Sequence, residues 1–458
     1  MYWYRGRVNI VKLIKRKGNL VRLHPAQIIV IGFGCLILLG TLLFMLPIAT
    51  YEEGRGLSFI DALFEATSAV CVTGLAVVDT GTTFTLFGEI VLLCLVQIGG
   101  WGFMTTGILL FIILGKKIGL KERLLLQDSL NVFSLSGVVN LVKRIIIITF
   151  IVELIGAITL AIRWSFDMPL RKAIYYGIFH SISAFNNAGF GLEPDNLSKW
   201  VGDPTVNIMI TLLFITGGIG FTVILDLFHK RSFRKLSLHS KVALFMTLLL
   251  NIVGTLIILF SEYNNSGTIG KLSFDDKLWA SYFQGVVTRT AGFNTIDIGA
   301  MNLSSLVFMM ALMFIGASPG STGGGIKVTT FAIIILAFWT VVTNRDEVNI
   351  FKRRLPWELV NKSLSIVVAG MFFIFLIFFL LTFTEKADMS KLLFETISAF
   401  GTVGLSANFT PDLSPFGRVL ISIMMFIGRL GPLTMAFALL NTRKDAKVRY
   451  AEEKILIG

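Results

Sequence analysis

Eight apolar runs divide the 458-residue chain, at 26–48, 86–114, 145–162, 205–228, 242–260, 303–341, 363–383 and 416–440. A bilayer core takes about 20 residues of α-helix, so each run predicts a membrane span. The run at 303–341 is too long for one uninterrupted helix and is broken by glycines in its middle. Between spans lie four shorter apolar stretches, 59–70, 170–185, 276–288 and 389–400, each too short to cross. Ser58 suits the N-cap of the first, with Asp61 in its first turn. Each stretch is expected to enter the membrane halfway, turn and return outward. The order span, re-entrant helix, turn, span is then expected four times.

The turns carry a repeated signature. An aromatic residue precedes a glycine by ten positions in Phe64 to Gly74, Phe179 to Gly189, Tyr282 to Gly292 and Phe394 to Gly404. Ser-Ala recurs at one place in three copies, as Ser68-Ala69, Ser183-Ala184 and Ser398-Ala399. The glycines stand 115, 103 and 112 residues apart (74 to 189, 189 to 292, 292 to 404). A second glycine cluster follows each one, at Ile98–Phe103, Thr216–Phe221, Ile315–Gly320 and Ile427–Pro432. A fixed period of this length marks a duplicated architecture. The expected division is a basic arm over 1–25, repeats over 26–115, 116–228, 229–341 (with a broken helix) and 342–440, and a tail over 441–458.

Composition agrees with the pattern. Hydrophobic residues make up 54% and charged residues 15%, against roughly 25% charge in soluble domains. The net charge of +13 would suggest nucleic acid if it were evenly spread, but it is not. With the N-terminus inside, the segments 1–25, 115–144, 229–241, 342–362 and 441–458 hold 28 of the 41 Lys and Arg. Such a bias places both termini in the cytoplasm and leaves no case for nucleic-acid binding. The basic arm is expected to lie on anionic lipid, and the apolar run behind it is of membrane length rather than that of a cleavable signal peptide. The links 115–144 and 342–362 read as partly helical. Cys35, Cys71 and Cys94 form no framework, and the four histidines lack metal-ligand spacing. No nucleophile–base pair is visible at membrane depth, so an enzyme is not expected, nor any cofactor.

Backbone that leaves the helix inside a membrane must be buried in protein or face water. Four such turns at equivalent places therefore predict one shared aqueous axis. A ring of backbone carbonyls there replaces the hydration shell of a potassium ion without fixed charge. Glycine serves because turning successive carbonyls one way requires φ > 0. The candidate filter residues are Cys71, Val72, Thr73 and Gly74; Asn186, Asn187, Ala188 and Gly189; Thr290, Ala291 and Gly292; and Thr402, Val403 and Gly404. Their side chains differ between copies, as suits a filter made of backbone. The bound species expected is K+ at those carbonyls.

Four span–loop–span units with one glycine per loop resemble the Trk/Ktr/HKT superfamily of potassium transporters, over nearly the whole chain. Within it, the chain most resembles the bacterial Ktr membrane subunit, because its first span begins by residue 26. Gly74 also matches the potassium-selective pattern, where sodium-selective plant relatives carry serine. The resemblance implies an all-α integral membrane protein with four repeats in pseudo-fourfold symmetry around one pore. It further implies potassium uptake driven by the membrane potential, a homodimer, and a cytosolic ring of nucleotide-binding regulatory subunits of the KtrA/KtrC type. Sodium stimulation is open on the same grounds. A stand-alone potassium channel is the nearest alternative, although such subunits are usually single units that tetramerise. A secondary transporter of an organic solute would show inverted repeats, whereas these run parallel.

Residues 316–325, Gly-Ala-Ser-Pro-Gly-Ser-Thr-Gly-Gly-Gly, cannot hold a stable helix. The break predicts a gate beneath the filter, with Gly316, Pro319, Gly320, Gly323, Gly324, Gly325 and Lys327 as candidates. A nucleotide P-loop is not expected there, since the Lys is one place late and no strand precedes it. Arg429 stands at membrane depth, where a charge costs at least about 2.5–3.5 kcal/mol, and is expected to act at the gate. Arg289 is expected to brace the third turn from behind. Glu65, His180 and Glu395 share one column of the short helices, with no role assigned.

Overall fold

The computed structural model describes residues 25–440, apart from 53, 103, 104, 108 and 110–137, and also residue 453. The basic arm, most of the link 115–144 and the expected cytoplasmic tail lie outside the described residues.

The first quarter holds α1 (Pro25–Phe44), α2 (Phe59–Cys71), the single turn α3 (Thr80–Thr83) and α4 (Leu86–Trp101). The second holds α5 (Val138–Trp164), α6 (Leu170–Phe185), α7 (Pro204–Gly218) and α8 (Phe221–Lys230). The third holds α9 (Leu238–Glu262), α10 (Phe274–Val287), α11 (Leu303–Phe314) and α12 (Val328–Val342). In the fourth are α13 (Trp357–Thr384), α14 (Met389–Gly401), α15 (Pro415–Leu430) and α16 (Pro432–Leu440). Long helix, short helix and interrupted helix thus follow one another four times. The one β element among the described residues is a hairpin of β1 (Asn349–Ile350) and β2 (Arg353–Arg354), where the sequence reads as partly helical.

Among the described residues, only α1, α5, α9 and α13 are long, apolar and unbroken enough to cross a membrane alone. Their outer faces carry exposed residues such as Leu42, Ile151, Leu248 and Phe375, as a surface bathed in lipid requires. The short helices are the reverse. Phe64, Phe179, Phe283 and Phe394 are fully buried, so each short helix sinks an inner face into the protein.

Capping explains where the first and third short helices start. Ser58 Oγ accepts from Asp61 N at 3.3 Å and Ser273 Oγ from Asp276 N at 3.2 Å. Both caps fill orphan donors of the first turn.

The second helix of each set departs from the expected spans. The runs 86–114, 205–228 and 416–440 predict single helices, and each is broken. Gly102, Gly220 and Gly431 interrupt them with φ of 83°, 94° and 87°, a region that only glycine enters freely. Helices α7 and α8 meet at 97°. In the third set the same break is enlarged to the loop between Phe314 and Val328. Apolar composition shows how far a run extends, and does not show that a single glycine turns it.

Candidate functional site

The chain that leaves each short helix becomes left-handed at once. Val72, Asn187, Thr290 and Thr402 have φ of 56°, 61°, 68° and 49°, and Gly74, Gly189, Gly292 and Gly404 have φ of 92°, 75°, 74° and 90°. The residue between, Thr73, Ala188, Ala291 or Val403, keeps negative φ. Alternating handedness turns successive carbonyls to one side. The sequence reading reserves positive φ for the glycines, but the residue two places earlier shares it in all four loops. A β-branched Val or Thr there is strained, so the surroundings must hold it.

Those surroundings are specific. Thr73 N, Ala188 N and Val403 N donate back to Ser68 O, Ser183 O and Ser398 O at 2.8, 2.8 and 2.9 Å. Ser68 Oγ accepts from Gly74 N at 3.0 Å, and Ser183 Oγ donates to Phe190 O at 2.8 Å. The serines of the repeated Ser-Ala thus sit inside the turn. With their amides occupied by the helix behind, the loops leave carbonyls for the other side.

The loops meet in a closed order. A Cβ placed on Gly74 would strike Ala188 O; on Gly189, Ala291 O; on Gly292, Val403 O; and on Gly404, Thr73 O. Each glycine faces the carbonyl just before the glycine of the next loop, and the fourth returns to the first. Gly74, Gly189, Gly292 and Gly404, and with them Thr73, Ala188, Ala291 and Val403, therefore lie at one place. Cys71 ends α2, Asn186 caps α6, and both are buried behind their turns.

Glu65 and Glu395 have a shared task that their column position signals. Glu65 Oε1 accepts from Val77 N at 2.7 Å and Val78 N at 3.3 Å. Glu395 Oε1 accepts from Ala407 N at 3.2 Å and from Ser406 Oγ, and Oε2 accepts from Thr410 Oγ1 at 2.8 Å. Both carboxylates hold the strand that leaves the loop three residues after its glycine. His180 differs: it packs on Trp164 with ring centroids 5.0 Å apart, and its Nδ1 pairs with Tyr176 O.

The glycine-rich loop between α11 and α12 lies against the left-handed residues. Thr322 Oγ1 donates to Asn187 Oδ1 at 2.8 Å, and Gly324 N donates to Thr402 Oγ1 at 3.0 Å. A Cβ on Gly323 would strike Thr290 Oγ1. The loop also binds the break between α7 and α8, where Ser318 N donates to Gly218 O at 3.0 Å and Phe221 N to Gly320 O at 2.9 Å. Pro319 O faces Gly220 there. Gly316 packs on Gly324, Gly325 packs on Gly316, and Gly320 and Gly325 have φ of 66° and 67°.

Two cations secure this loop. Lys327 Nζ donates to Gly323 O at 2.7 Å. Arg429, at the end of α15, donates to Thr322 O from Nη1 and to Gly99 O and Gly100 O from Nη2. Its guanidinium thus bridges the glycine-rich loop and α4, with no carboxylate partner among the described residues. Arg289 points away from the ring and donates to Thr247 O at 3.0 Å and Asn251 Oδ1 at 3.1 Å on α9.

The second glycine cluster has its own reason. A Cβ on Gly99, Gly217 or Gly428 would strike Val70 O, Phe185 O or Phe400 O. Each of those carbonyls lies four residues before a loop glycine, so the helices approach where a side chain would keep them apart.

Fold and loops together define a class: a multi-pass helical membrane protein in which four glycine-bearing loops meet with their backbone carbonyls in a closed order. Residues 14–447 match the TrkH family model, described as cation transport protein, and the chain belongs to that family. It is 49% identical to the Ktr system potassium uptake protein B of Bacillus subtilis (strain 168), over 96% of this chain and 98% of that one. Identity to the protein of the same description from Vibrio alginolyticus is 42%, over 94% of each chain. Identity to the potassium/sodium uptake protein NtpJ of Enterococcus hirae is 37%, over 97% of this chain and all of that one. The crystal structure of the potassium transporter TrkH from Vibrio parahaemolyticus superposes with a TM-score of 0.72 at 20% identity, covering 93% of this chain and 86% of that one. That likeness is one of fold.

Proposed function

We propose that this protein takes up potassium across the bacterial cell membrane through the carbonyl ring, with the loop 316–325 as its gate. The closed order of four glycines against four carbonyls carries the reading. Such a ring offers a dehydrated potassium ion oxygens on every side and no fixed charge. The four short helices aim their C-terminal, partly negative ends at the space below, which favours a cation there. Uptake is driven by the membrane potential, about 2.3 kcal/mol per charge per 100 mV. The names of the Bacillus and Vibrio relatives support potassium as the cargo, and that of the Enterococcus relative supports a part for sodium.

The four units form a pseudo-fourfold pore, the protein is a homodimer with both termini in the cytoplasm, and a cytosolic nucleotide-binding ring controls it. The "Ktr system" of the relatives' names supports a multi-component assembly. The hydrogen bonds from the loop 316–325 to two of the four ring loops, and the close approach of Gly323 to Thr290 in a third, support a gate in its closed position.

Ion uptake into proteoliposomes at a set voltage, with potassium, rubidium and sodium compared, tests the reading. Potassium and rubidium enter and sodium lags. Gly74→Ser, whose Cβ strikes Ala188 O, raises sodium entry relative to potassium. Equal entry of all three ions in the native protein, or unchanged selectivity in a folded Gly74→Ser, overturns the filter.

A further inference from the structure

Each loop brings three carbonyls to the ring, from its left-handed residue to its glycine: those of 72–74, 187–189, 290–292 and 402–404. Among the described residues, only Gly189 O of these twelve (four loops of three) accepts a hydrogen bond. Its donor is Asn196 Nδ2, at 3.2 Å, from the exit of the same loop. Free carbonyls are what a dehydrated cation requires, so the second loop holds an exception.

Several contacts fix that exception in place. Asn196 has φ of 55°, a left-handed conformation that asparagine visits more readily than most residues. Its N donates to Glu193 O at 2.9 Å, and the Glu193 carboxylate accepts from Tyr176 Oη at 3.0 Å and from Lys199 Nζ. The next residue is anchored on the third loop, where Leu197 N donates to Asn294 O at 3.0 Å. Asn196 therefore stands between two fixed points. Its Oδ1 is buried without a partner, a cost that a residue serving only to close the turn would avoid. The side chain is placed for its donor. The exits of the first and fourth loops are fastened differently, from behind, by Glu65 and Glu395. In that column the second unit has His180, which pairs with Tyr176 O, and the third has Phe283.

We propose that Asn196 is a positioning residue that sets the ion preference of the ring. Sodium is smaller than potassium, so carbonyls must turn inward to reach it. The Asn196 amide restrains Gly189 O against that movement and occupies one of its two lone pairs. The glycine is the last of the three residues as the loop returns outward. The restraint thus acts at the outer end of the ring, where an ion exchanges water for carbonyls.

This role presupposes the potassium filter proposed above, so the native preference is measured first, in proteoliposomes at a set voltage. Asn196→Gly keeps the left-handed backbone without strain and removes the donor. The potassium-to-sodium ratio of uptake then falls on the order of fivefold, the equilibrium factor for one typical net hydrogen bond. The fall comes from a lower apparent KM for sodium, while that for potassium stays near native. Asn408→Gly is the control for a merely structural role. Asn408 is also left-handed, with φ of 58°, in the exit of the fourth loop, but its Nδ2 donates to Asp297 Oδ1 at 2.7 Å and to no ring carbonyl. That variant keeps the native ratio, whatever its melting temperature. A native ratio in folded Asn196→Gly, or the same fall in both variants, overturns the role of Asn196 and leaves the filter standing. No potassium preference in the native protein overturns the filter, and the role of Asn196 with it. If Asn196→Gly does not assemble, Asn196→Asp replaces the donor by an acceptor, and a native ratio there overturns the role instead.

Discussion

Arg429 shows how one side chain joins elements of three units. A guanidinium at membrane depth is expensive, and here its three acceptors are main-chain carbonyls, of Thr322, Gly99 and Gly100. It therefore ties the loop 316–325 to a helix of another unit. Arg429→Ala frees Thr322 and is expected to raise potassium leak several-fold in the purified protein alone. A folded Arg429→Ala with native leak in the same flux assay would count against the gate. The charge was legible in the sequence because an Arg in an apolar run stands out. Its acceptors were not, since backbone carbonyls leave no trace in residue identity. Glu65 and Glu395 were visible as a column for the same reason as Arg429, while their task depended on which amides faced them. The left-handed Val72, Thr290 and Thr402 gave no signal, because β-branched residues disfavour positive φ and only the surrounding packing enforces it.

At the scale of elements, the short helices were legible and the breaks in the second helices were not. The short helices announce themselves by length, by a terminal glycine and, in the first, by the capping Ser58. The breaks rest on single glycines within apolar runs, where glycine is commonly a packing residue. Gly102 and Gly220 separate the two effects. A Cβ on Gly102 meets nothing within 4 Å, whereas one on Gly220 meets Pro319 O at 2.8 Å. Both Ala variants are expected to lose about 1–3 kcal/mol through strain alone, read as a lowered melting temperature. Only Gly220→Ala should also leak, because it displaces the loop 316–325. Shortening that loop by several of its residues is expected to leak more than either, and equal flux in the shortened and native proteins would argue that the loop blocks nothing.

For the whole molecule, closure is the organising fact. The last unit returns to the first through Gly404 against Thr73 O in the ring, and through Arg418 Nη1 to Asp61 in the first turn of α2. Gln27 Nε2 to Ala438 O at 3.2 Å does the same between α1 and α16. Arg418 and Asp61 are partly buried, with side chains 21% and 23% exposed, and Arg418 also donates to Pro411 O at 2.9 Å. A double-mutant cycle of Arg418→Gln with Asp61→Asn is expected to give a coupling of about 1 kcal/mol in thermal unfolding. Additive losses would mean that the pair only marks proximity.

The sequence by itself determined the membrane class, the long and short helices, the recurring glycines and the place of the glycine-rich loop. Each of these follows from hydrophobicity, length and spacing read within a few tens of residues. Only the tertiary structure decided which loop faces which, that the order closes, where Arg429 finds its acceptors, and which buried side chains stand behind the ring. Those facts depend on main-chain atoms brought together from segments about a hundred residues apart. Packing sets such meetings, and local sequence preference has no access to them.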